Sequence, residues 1–262
     1  MERTYVSQFE DRIDLDQDVR LVFDERSKGS VLLFAGGSEE TIRLSFEAKA
    51  GCDVKVFVQN TFEHDVKIVL EAEAKHDARL KLGLLDLQDA ACTLEFEGEL
   101  TEQGADIDFY SAQLCLAGRK KKGVLNLTSR VPHTFGNMHN FAVCFDGGLY
   151  DTAAAGRIVK GAFASESHQE TRVLTMGKDH QATAVPILYI DENDVKASHA
   201  LTIGQPDADQ LYYLQSRGLS TKQAVGLLSI GYFKPVLSLI DDEAVRNELE
   251  EQMEQRVGLY EY

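Results

Sequence analysis

Residues 186–233 read PILYIDENDVKASHALTIGQPDADQLYYLQSRGLSTKQAVGLLSIGYF and pass from strand periodicity to helix periodicity across one short turn. Val195, Ala197, His199, Leu201 and Ile203 alternate with Asp194, Lys196, Ser198, Ala200 and Thr202, the period of two of a strand with one buried face. That alternation puts His199 on the apolar side. Beyond Pro206, Asp207 or Asp209 can cap a helix carrying Leu211, Tyr212 and Leu214, and Gly218 supplies a left-handed stop. Ser220 and Gln223 have capping-box spacing and open a second helix with Ala224, Leu227, Leu228 and Gly231.

Upstream, from about Val31 to Ile203, short alternating runs such as Ile42, Leu44, Phe46 and Leu80, Leu82, Leu84 are separated by Gly, Asp, Asn or charged turns. Short, even spacing permits a sandwich, a barrel or a stacked solenoid. Two features favour the solenoid. The chain has only 4 prolines and, apart from Asp146-Gly147, lacks the two-residue hairpin signals of antiparallel neighbours. Small residues cluster in DTAAAG (151–156) and GAFAS (161–165), which suits closely stacked backbones. The ends of such a stack are open sheet edges, and the helices after Pro206 are expected to cover one of them. A last helix from about Asp242 to Val257 carries Val245, Leu249, Met253 and Val257 on one stripe. The reading divides the chain into a short leading segment (1–30), a β core (31–205) and a helical region (206–262).

With 262 residues the chain can bury a large core without staples. Its 27 basic and 43 acidic residues give a net charge of -16, which disfavours nucleic-acid and anionic-membrane partners. Cys52, Cys92, Cys115 and Cys144 are widely spaced, with no C-x-x-C, so they read as free thiols of a reducing compartment. The first twenty residues hold no apolar signal-peptide core, and a cytosolic location is expected. No Walker A loop, G-x-G-x-x-G or G-x-S-x-G occurs, so an ATPase step would belong to a partner. A β-helix enzyme acting on polysaccharide is the rival class, and it lacks an export signal here.

The words Ser198-His199 followed by Thr202, and Tyr212-Tyr213-Leu214-Gln215-Ser216-Arg217-Gly218, resemble the SufB/SufD family of iron–sulfur cluster assembly scaffolds from about His133 to Phe233. The resemblance implies a right-handed parallel β-helix followed by helices, and a non-catalytic scaffold acting beside a SufB-like subunit and a SufC-like ATPase. It also implies a larger helical segment before the solenoid, where this chain offers about thirty residues. A pure interaction scaffold without iron–sulfur chemistry is the alternative. B-type members carry a cysteine and a glutamate where this chain has Thr171 and Ala200, so the resemblance is to the D-type subunit, with a SufB-like partner or a second copy completing a dimer. No stably bound cofactor is expected in the isolated chain, and a transient cluster is expected at the interface.

His199 is the foremost site candidate. On the strand pattern alone it reads as a hydrogen-bonded core histidine; the resemblance makes it a cluster-interface residue and a metal-ligand candidate. Leu211, Tyr212, Leu214, Arg217, Leu227, Leu228, Tyr232 and Phe233 read as helix-on-solenoid packing, to which the resemblance adds SufC docking. His133 and His139, with Asn137 and Asn140, read as surface hydrogen-bonding groups rather than metal ligands. His168 shares one outer strand face with Glu166 and Glu170, and Arg119–Lys122 reads as a solvated basic turn.

Overall fold

A computed structural model describes residues 1–257. Two eight-stranded parallel sheets face each other. The first contains β1 (Glu2–Tyr5), β3 (Val19–Phe23), β5 (Thr41–Ala48), β7 (Val66–Ala74), β9 (Cys92–Leu100), β11 (Lys120–Ser129), β13 (Leu149–Ile158) and β15 (Gln181–Ile190). The second contains β2 (Gln8–Leu15), β4 (Lys28–Ala35), β6 (Asp53–Asn60), β8 (Arg79–Asp86), β10 (Asp106–Cys115), β12 (Phe135–Cys144), β14 (Glu166–Thr175) and β16 (Lys196–Gly204). The chain alternates between sheets at every strand, so each coil lies on the one before it: a parallel β-helix. The sheets begin at Glu2, and the first thirty residues, set apart above, contribute β1 to β3 and the start of β4.

Alternate residues of every strand point into the lumen. There Val19, Leu44, Leu70, Phe96 and Leu125 stack in register on one sheet, facing Val31, Val56, Leu82 and Phe109 on the other. Phe96 and Phe109 stack across the lumen at 4.0 Å. On the outer face of the first sheet coil-to-coil ion pairs absorb part of the acidic charge, as in Arg43–Glu71 at 2.9 Å and Lys67–Glu95 at 2.8 Å. The Asp146-Gly147 signal serves a parallel corner instead of a hairpin. Gly147 takes φ +74 there, and Asp146 accepts the Lys178 and Asp179 amides, which hold its carboxyl below the usual range.

Three helices follow: α1 (Ala208–Ser216), α2 (Thr221–Leu237) and α3 (Glu243–Val257). Asp207 caps α1, Ser220 and Gln223 form the capping box of α2, and Asp242 accepts the Ala244 and Val245 amides at the start of α3. Their position corrects the expectation that they close an end. α2 and α3 run along the outer face of the second sheet, because that face presents a second apolar surface, and α1 packs on α2. Ile230, Phe233 and Val236 of α2 pack with Ala112, Leu114, Phe141 and Val143, and Val245, Leu249, Met253 and Val257 of α3 join the same cluster as Leu32, Phe57 and Leu85. Each fully buried side chain of this kind stabilises by roughly 1.5–3 kcal/mol. Gly83 is part of the fit, since a Cβ there would collide with Leu239. No described helix is long and apolar enough to cross a membrane.

Candidate interaction site at the open end of the solenoid

With the helices lying alongside, the last coil is bare. Among the described residues β15 pairs only with β13 and β16 only with β14, so both present an unpaired backbone edge. The lumen-facing residues of this coil are Ala182, Ala184, Pro186, Leu188 and Ile190 on β15, and Ala197, His199, Leu201 and Ile203 on β16, as their register partners require. In an inner coil such residues are buried. Here Leu201 is 40% and Ile203 39% exposed, and Val185 and Tyr189 are exposed on the adjoining outer face. The end therefore presents a cut section of a hydrophobic core.

His199 stands within that section, above Gln169 in the register. Its face is the one the alternation indicates, but it is exposed, which corrects the reading of a buried core histidine. Among the described residues no coil lies beyond β16 to cover it. Thr171 lies one layer deeper, buried under Leu201, and receives a hydrogen bond from Asn140 Nδ2 at 3.3 Å. Asn140 in turn accepts from Ser111 Oγ at 3.0 Å, so a polar ladder climbs the lumen towards the open end. Asn140 is thus a lumen residue, not a surface one. Ala200 faces out and is exposed.

On the outer face beside the open end, His168 Nδ1 lies 2.7 Å from Ser198 Oγ and its Nε2 3.5 Å from Glu166. Lys196 donates to Glu166 at 2.8 Å and draws that carboxyl below its ordinary value. His139 stacks on Tyr110 at 4.7 Å, whereas His133 meets the edge of Phe163. Among the described residues no three His, Cys, Asp or Glu side chains are placed to hold a metal ion.

Sequence comparison adds the family. Residues 16–232 match the SufBD core domain of SUF-system FeS cluster assembly. The chain belongs to the SufBD family. The SufBD chain is 36% identical over 137 residues to the iron–sulfur cluster assembly protein SufD of Bacillus subtilis (strain 168), covering 50% of this chain and 31% of that protein. It is 25% identical over 129 residues to SufD of Escherichia coli (strain K12), covering 45% and 30%. A SufBD family protein of Mycobacterium leprae (strain TN) is 36% identical over 89 residues, covering 34% and 23%. The SufBD chain thus spans about a third or less of the length of these relatives.

The helical candidates separate into two groups in the SufBD chain. Tyr212 is 73% exposed on α1, where Arg217 lies over the Tyr213 ring and Leu211 and Leu214 are half-buried. On α2, Leu227, Leu228 and Tyr232 line a groove of about 410 Å³ with Phe141 and Arg172, while Phe233 is fully buried in the core. Leu227 is exposed at 47%.

One reading of the basic run fails. Lys121 points into the lumen, fully buried, and donates to Asp86 Oδ2 at 2.8 Å and to the carbonyls of Gln88 and Ala90 at 3.0 and 2.8 Å. It takes an inward position because, as the second residue of β11, it lies on the same face as Leu125 and Leu127. The signal available in the sequence was that alternation, which continues backwards through Gly123 to Lys121.

Proposed function

We propose that this chain is a SufD-like, non-catalytic scaffold subunit of cytoplasmic iron–sulfur cluster assembly, acting beside a SufB-like subunit and a SufC-like ATPase. The observation that carries the reading is the bare apolar end with His199 inside it. An exposed core section flanked by two unpaired strands is a surface that a second solenoid of the same fold can cover. A SufB-like subunit, supplying the thiolate and carboxylate that Thr171 and Ala200 do not, would complete a transient cluster site to which His199 adds an imidazole ligand or proton acceptor. The cluster is cargo of the pair. The four buried thiols of this chain, with Cys115 and Cys144 adjoining in register, do not offer the thiolate set that a stable cluster requires. The exposed faces of α1 and α2, with the groove at Leu227, Leu228 and Tyr232, support docking of the ATPase on the side of the stack.

Co-purification of the full chain with SufB-like and SufC-like subunits tests both surfaces at once. Leu201→Asp with Ile203→Asp is expected to lose the B-type subunit and keep the ATPase, and Leu227→Asp to do the reverse. Folded variants that retain both subunits would overturn the assignment of the surfaces. Failure of the unaltered chain to capture any ATP-binding-cassette subunit would overturn the scaffold reading itself.

A further inference from the structure

Two of the four free thiols meet inside the lumen. Cys115 ends β10, Cys144 ends β12, and the two are register partners. In-register neighbours on parallel strands lie about 4.8 Å apart, within the Cα range of roughly 4.4–6.8 Å that a disulfide spans. Both side chains are fully buried and pack in one cluster with Ala142, Tyr150 and Val173.

Buried polar groups share the neighbourhood of the pair. Among the described residues Gln113 Nε2, two residues before Cys115 on the same inward face, is buried with no hydrogen-bond partner, and the buried Tyr150 hydroxyl has at most Thr152 beside it. Orphaned buried donors are costly and call for an acceptor. A thiolate or a sulfenate oxygen is such an acceptor. The two thiols are also unequal: burial holds the Cys115 thiol well above its ordinary value, while the hydrogen bond from Cys115 draws Cys144 below it. Cys144 is moreover the sulfur nearer the bare end. Its outer neighbour in the stack is Thr175, and the pairing of β14 with β16 stops one residue short of Thr175, at Leu174 and Gly204. Local opening of a terminal coil is the lowest-energy fluctuation a stack can make.

We propose that Cys115 and Cys144 form a redox dithiol, a modification site at which a small peroxide converts the two buried thiols into an internal disulfide. The Cys144 thiolate attacks one oxygen of hydrogen peroxide, the O–O bond breaks, and the departing hydroxide takes a proton to leave as water, giving a sulfenic acid. The Cys115 sulfur then attacks the sulfenic sulfur, the S–O bond breaks, and the second hydroxide leaves with the Cys115 proton as water. Two electrons pass from the sulfurs to the peroxide. Closure must draw the Cβ atoms from about one strand spacing to roughly 3.5–4.5 Å, so the bond is strained and open to reduction by a thiol-class reductant. This chemistry does not depend on the assembly role proposed above.

The test treats the folded full chain with hydrogen peroxide and maps peptides without reduction. The expected result is a linked peptide pair containing Cys115 and Cys144, lighter by two hydrogens and restored by dithiothreitol, with Cys52 and Cys92 still reduced. In Cys115→Ser, a sulfenic acid at Cys144 should accumulate and be trapped by dimedone; in Cys144→Ser, Cys115 should take no dimedone and oxidise no faster than Cys52. Cys115→Ala stands in if the serine variant does not fold. A chain that stays folded with no linked peptide, or that gives the link only in its denatured fraction, overturns the proposal. Equal dimedone labelling of Cys115 and Cys144 in the two variants overturns the assigned roles.

Discussion

Replacing Lys121 with Met removes the cation from the interior while nearly preserving its volume, and its cost can be worked from the contacts. Lys121 Nζ gives its three protons to Asp86 Oδ2 and to two backbone carbonyls, and both partners of the ion pair are fully buried. The substitution leaves the Asp86 carboxylate with the Gln88 amide, at 3.1 Å, and the Cys92 thiol as weak neutral donors. Breaking a buried pair from one side costs about 3–5 kcal/mol, because a charge stays behind in a medium that solvates it poorly. In a chain of this size each kcal/mol shifts the melting temperature by roughly 2–4 °C, so a fall of about 6–20 °C is expected, with a matching loss in the urea midpoint at unchanged slope. Removing both charges in Lys121→Met with Asp86→Leu should recover at least about half of that loss, since apolar replacement of a buried pair is often near neutral. A single-variant loss below about 1 kcal/mol, the value of an exposed ion pair, would refute the argument that the pair is dry. So would a double variant no more stable than the single one.

Asp106 gives a pH prediction. Burial, then the neighbouring Asp108, raises its carboxyl to about 6, above an unfolded value of about 3.9. The folded chain therefore holds a proton that the unfolded chain releases, and this contribution to stability is fully present below the unfolded value and lost as pH rises through about 6. Asp106→Asn should stabilise by about 1 kcal/mol near pH 7.5, after discounting for partial solvent access, and by almost nothing near pH 4; a gain independent of pH would show another origin. His199→Ala, at an exposed site, should change unfolding stability by no more than about 0.5 kcal/mol yet impair cluster formation in the complete complex, and full assembly activity in that variant would remove His199 from the site.

The strands were legible because alternation survives almost every substitution a half-buried sheet tolerates, and the cap at Ser220, with Asp207 as one of two candidates for the first helix, because each is a local hydrogen-bonding rule. What local rules cannot carry is which coil lies on which. Ser111 and Asn140 are 29 residues apart and Arg20 and Glu47 are 27 apart, a coil length hidden by corners of unequal size. Without it Lys121 looks like part of a charged turn, and Cys115 and Cys144 look scattered. The α3 stripe of Val245, Leu249, Met253 and Val257 announces that the helix packs, but not that its partners include Leu32 and Phe57. His199 shows the converse failure: its face follows from the sequence, whereas its exposure follows from being in the last coil, which no periodicity records.

The return of α3 to the early coils bears on how the chain is made. Lys55 meets Asp241 across 186 positions of sequence, and Gln59 meets Gln252 across 193. On a ribosome the stack can grow coil by coil, since each new strand needs only its predecessor. Leu32, Phe57 and Leu85 on its flank, however, wait for a cover, Glu243–Val257, that is translated only after the whole stack. Throughout that interval the nascent stack carries an uncovered greasy stripe, a natural hold for a chaperone, and a premature stop before residue 243 would leave the stripe bare for the life of the product.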